Sequence, residues 1–133
     1  MIKLTPIDRA RDQLTPSGTA TNSMKKHNYA VEKLTTALSV LASHPGDARE
    51  RLGAAFLVFH TLSEKDFPAG LQARWRWVLE QINKLGPVLD HKGTVLQGSA
   101  EHTMRRIRKQ TASKIIKEIY ELYWEISQNE RYL

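Results

Sequence analysis

The chain has 133 residues, 41% hydrophobic and 26% charged, the size and balance of a single globular unit. It contains no cysteine, which excludes disulfide frameworks, thiolate nucleophiles, zinc ribbons and Fe–S clusters. Twenty Lys and Arg against fourteen Asp and Glu leave a net charge of +6, enough to make anionic partners worth testing but not to identify one.

Residues 1–23 are rich in Thr, Ser and charge, carry Pro6 and Pro16, and show neither helical nor strand periodicity; they read as a flexible basic arm. Up to Lys26 the stretch holds five basic and two acidic residues, which is half of the net charge. Met1 to Ala20 shows no apolar core of a secretory leader, and no run approaches the ~20 apolar residues that span a bilayer. A cytoplasmic protein without a membrane partner is therefore expected, consistent with the lack of cysteine.

Residues 24–133 read as one helical domain. Val31, Leu34, Leu38 and Leu41 recur at helical spacing and predict a first helix over 26–42. His44-Pro45-Gly46 ends it, and Asp47 caps a second helix over 48–62. This helix is apolar nearly all round, as a centrally packed helix is, and His60 beside its phenylalanines reads as a core or boundary residue. Asp66 then appears as an N-cap with Pro68 in the first turn of a third helix, 68–85. Leu71, Trp75, Val78, Leu79, Ile82 and Leu85 form its core stripe. Val88-Leu89 and Val95-Leu96 can pair as a short hairpin around a turn at Asp90 to Gly93. Ser99 opens a fourth helix over 100–109, and a fifth follows over 112–128. The expected fold is all-α, a compact bundle of four to five helices.

A wider pattern runs from Arg51-Leu52 through Asp66-Phe67-Pro68 and Trp75 to Gly93, Gly98-Ser99 and Met104-Arg105-Arg106, then Lys114-Ile115-Ile116 and Leu122-Tyr123. Over about residues 28–123 it resembles a group of small, uncharacterised bacterial helical proteins. The resemblance implies a bacterial, soluble, all-helical protein and carries no function with it.

No phosphate-cradling glycine loop, HExxH or Glu-x-x-His motif is present. His27, His44, His60, His91 and His102 are scattered, and no metal, cofactor or catalytic residue is expected. What remains points to binding. Trp77 falls on the polar side of the third helix with Arg74, Gln81 and Lys84; another helix or the arm covers it, or it forms a protein-binding face. Arg105, Arg106, Arg108 and Lys109 belong to a run from His102 to Lys117 with six basic residues and no acid. They form either a solvated face or a contact for phosphate or an acidic partner. The fifth helix has Ile115, Ile119, Leu122 and Ile126 as its core stripe. Ile116, Tyr120, Tyr123 and Trp124 widen its apolar arc to about 200°, which suits central packing or a homodimer interface. The expected function is a non-enzymatic interaction protein with a protein partner. The alternative is a nucleic-acid-binding subunit gripping the phosphate backbone without sequence specificity.

Overall fold

The computed structural model describes the backbone over residues 18–128 and the side chains over 27–128. Among the described residues five α-helices follow one another: α1 Gly18–Ser43, α2 Ala48–Phe59, α3 Gln72–Ile82, α4 Ser99–Arg106 and α5 Lys109–Gln128. Single 3-10 turns, Glu64–Asp66 and Ala69–Leu71, lie between α2 and α3, and strands β1 Val88–Leu89 and β2 Val95–Gln97 lie between α3 and α4. The fold is all-α. The expected arm lies outside the described residues up to position 17, and from Gly18 the backbone is already helical.

Local chemistry sets the α1–α2 corner. Gly46 takes φ +108°, and a Cβ there would lie 2.7 Å from the Glu50 carboxylate, so only glycine fits. Asp47 then completes a capping box: its Oδ1 accepts from the Arg49 and Glu50 amides at 2.9 and 3.2 Å, and Glu50 Oε1 accepts from the Asp47 amide at 3.0 Å. The Arg51 guanidinium donates to the Leu41 carbonyl at 3.3 Å, satisfying an acceptor at the C-terminal end of α1.

The core is continuous from Leu34 and Leu41 of α1 through Leu52, Ala55 and Phe59 of α2 to Ile115, Ile119, Leu122 and Ile126 of α5. Trp75 of α3 is fully buried at its centre. Its ring stacks on Phe67 at 4.8 Å and meets Phe59 edge-on at 5.3 Å. Its indole N–H donates to the Leu62 carbonyl at 3.2 Å, so a large buried ring keeps its one polar atom satisfied.

Several boundaries differ from the sequence reading. Helix α2 ends at Phe59, and His60 is exposed at its C-cap rather than in the core. Asp66 closes a 3-10 turn instead of capping α3: its carboxylate accepts from the Ser63 amide at 2.9 Å, while Pro68 is buried ahead of the next turn. Helix α3 starts at Gln72, whose side chain donates to the Phe67 carbonyl at 3.0 Å. It stops at Ile82, and Asn83 donates back to the Leu79 carbonyl at 2.9 Å. Leu85, assigned to the core stripe, is consequently 43% exposed.

The hairpin forms as expected, antiparallel with Val88 opposite Gln97 and Leu89 opposite Val95. Asp90 Oδ1 accepts from the Lys92 and Thr94 amides at 2.8 and 2.9 Å, and Gly93 supplies the positive φ of +84° that the turn requires. Two bonds dock α4 on the Leu85-Gly86 turn. The buried Thr103 hydroxyl accepts from the Leu85 amide at 3.1 Å and donates to the Ser99 carbonyl at 2.8 Å, and His102 Nδ1 lies 3.0 Å from the Gly86 carbonyl. Ile107 is extended, with ψ 162°, which ends α4 at Arg106. Lys109 therefore opens α5 instead of closing α4.

Candidate interaction surfaces

Three surfaces emerge on this frame, the first joining α3 and α5. Arg74 Nε donates to Glu118 Oε2 at 2.6 Å, and its Nη2 lies 3.8 Å from Glu121 Oε1. The hydrogen bond to Glu118 holds the guanidinium pKa above its ordinary value, so Arg74 stays charged. Arg74 is thus half-buried within the fold, and its guanidinium is directed to carboxylates rather than free for a partner. Beside it, a shallow groove of about 300 Å³ is lined by Arg74, Tyr120, Glu121, Trp124 and Glu125.

Trp77 stands three residues on from Arg74, on the same flank of α3. It is 40% exposed, while Tyr120 is 51% and Trp124 54% exposed. Large aromatic surface therefore borders the Arg74 clasp on both helices. Of the other positions singled out on α3, Gln81 is half-buried and Lys84 exposed. On α5 the broad apolar arc divides: Ile116 and Tyr123 pack partly against the core, while Tyr120 and Trp124 face outward.

The second surface is the elbow between α4 and α5. Arg105, Arg106, Arg108 and Lys109 are all exposed and straddle a bend, so they do not form one helical face. Two are engaged within the chain: Arg105 lies 3.4 Å from Glu101, and Lys109 lies 3.9 Å from Asp47. No ion pair of Arg106 or Arg108 occurs among the described residues.

The third surface was not foreseen. An open groove of about 1020 Å³ runs between α2 and α4, with Ala54, Phe56, Leu57 and Met104 on its apolar floor and Asp47, Arg49, Glu101 and Arg105 on its rim. Leu57 is 72% exposed there, so α2 is open on one side rather than enclosed all round. Its apolar residues were legible, but which side of α2 would remain uncovered depends on where α4 docks. At one end, Asp47 bonds the Arg49 guanidinium at 3.0 Å. That bond, with the amide bonds from Glu50 and Arg49, lowers the Asp47 pKa to about 2. A carboxylate so acidic is a poor general base at neutral pH, and its geometry is that of a cap.

Among the described residues, no three His, Cys, Asp or Glu side chains converge as metal ligands, and no helix is long and apolar enough to cross a membrane. Together the features define an all-α helical bundle bearing exposed aromatic and basic surfaces. No protein-family model, curated protein or solved structure matches the chain, so a functional reading rests on these surfaces.

Proposed function

We propose that this chain is a non-enzymatic helical interaction protein, an adaptor, inhibitor or small subunit, that binds a protein partner in the cytoplasm of a bacterium. The partner seats on the α3–α5 face around Trp77, Tyr120 and Trp124. The supporting observation is the exposure of these three aromatics on two helices that Arg74 ties together. Trp, Tyr and Arg are the residue types that dominate binding hot spots. A rigid pair of clasped helices presents them with little ordering left to do on binding.

The basic elbow supports a second reading, a phosphate-backbone contact to nucleic acid through Arg105, Arg106, Arg108 and Lys109. It is favoured by the exposure of Arg106 and Arg108 without ion pairs among the described residues. One experiment separates the two. A photo-crosslinking amino acid is placed at position 77, or at position 106, in the full chain inside cells. A discrete protein adduct from position 77 is the expected result. Nucleic-acid adducts from position 106, with none from 77, would transfer the function to the elbow.

A further inference from the structure

We propose that Arg106 and Arg108 form a paired grip on two successive phosphates of one nucleic-acid strand, held at a set separation by Ile107 between them. The inference rests on the phosphate-backbone reading of the elbow and is independent of the α3–α5 face. The four basic residues at the bend are not equivalent. Arg105 lies 3.4 Å from Glu101 and Lys109 lies 3.9 Å from Asp47. Arg106 and Arg108 are exposed, and neither has an ion pair among the described residues.

Ile107 is pinned from three directions. Its amide donates to the Thr103 carbonyl at 3.0 Å, its carbonyl accepts from Arg49 Nη1 at 3.4 Å, and its side chain packs against the core. Arg49 is fixed in turn by Asp47, whose Oδ2 accepts from Arg49 Nη2 at 3.0 Å. With φ −73° and ψ 162° Ile107 is extended, which sets the Cα atoms of its two neighbours about 6.5 Å apart. Two like charges held side by side repel, and no carboxylate among the described residues pairs with either, although Arg105 and Lys109 each have one. The pair therefore adds no attraction to the fold. It suits a ligand that brings two negative charges at a similar step, as successive phosphodiesters of one strand do. Each guanidinium can take its own phosphate through a fork of N–H donors, and a bend pinned in advance leaves little backbone to order on binding. Base identity plays no part, because phosphate contacts carry no sequence information.

The test uses the full chain and two oligothymidylates of equal length and charge, each with half of its linkages replaced by neutral methylphosphonates. In one strand the neutral linkages alternate with phosphates; in the other they fill one terminal block and leave the phosphates contiguous. Fluorescence anisotropy over a salt series should show the contiguous strand bound more tightly, with a log-affinity against log-salt slope steeper by about 0.7. Arg106→Gln and Arg108→Gln should each lower the slope on the contiguous strand by about 0.7 and remove its advantage over the alternating one. Ile107→Gly keeps every charge, so it should weaken binding about threefold at an unchanged slope, with unchanged helical circular dichroism. Equal binding of the two strands, an advantage that survives both arginine changes, or an Ile107→Gly variant as tight as wild type would overturn the paired grip. In each of those cases a slope that still falls with the arginine changes would leave the phosphate reading of the elbow standing. No salt-dependent binding of either strand would refute that reading as well.

Discussion

Two tryptophans two positions apart show how completely a helix separates roles. Trp75 and Trp77 differ by about 200° around α3, and one is fully buried while the other is 40% exposed. Trp75→Ala should cost about 3–5 kcal/mol by removing a core ring, whereas Trp77→Ala should stay within about 1 kcal/mol. Urea denaturation of the two variants checks the contrast, and equal losses would refute it. Asp47 carries a pH dependence of known sign. Its carboxyl pKa falls from 3.8 unfolded to about 2 folded, so its charge contributes stability above about pH 4 that is lost as pH drops toward 2. Asp47→Asn keeps the capping oxygen but removes the charge, and should flatten that acid limb in melting temperature against pH. An unchanged limb would place the acid sensitivity elsewhere, with Glu64 beside Arg76 the next candidate, since the bond to Arg76 lowers its pKa as well.

At the scale of elements, spacing made the core stripes readable. Ile115, Ile119, Leu122 and Ile126 of α5 repeat at helical intervals, and each is buried. Element ends were less legible because they are decided by contacts from elsewhere in the chain. The start of α3 depends on Gln72 reaching the Phe67 carbonyl, and the break between α4 and α5 depends on one extended residue, Ile107. The lysines at the start of α5 oppose the helix dipole; Lys109 approaches Asp47, the N-cap of α2, and Lys117 pairs with Glu121 one turn further along α5. Likewise, sequence placed Arg74 beside Trp77 but could not show Glu118 and Glu121 taking its guanidinium. Thr103 offers a test at this scale, since one hydroxyl fastens α4 to the end of α3. Thr103→Val leaves the Leu85 amide without its acceptor and should cost about 1–2 kcal/mol. Chemical denaturation reads the loss, and a variant as stable as wild type would show that α4 is held by packing and the His102–Gly86 contact without help from Thr103.

For the whole molecule, the charge excess and the aromatic face make opposing claims on the partner. If the elbow grips phosphates, Arg106→Glu with Arg108→Glu should reduce the log-affinity against log-salt slope for duplex DNA by about 2, since each neutralised phosphate releases nearly one counterion. An unchanged slope would leave the elbow as solvent-facing charge. The α3–α5 account predicts that this double reversal leaves partner retention untouched. The most direct measurement pairs stability with binding on the same preparations: thermal unfolding and quantitative partner capture for wild type and for Trp77→Ala with Trp124→Ala. The account predicts a near-wild-type unfolding transition and at least a tenfold loss of retention, about 1.4 kcal/mol. A collapsed transition, or retention equal to wild type in a folded variant, would contradict it.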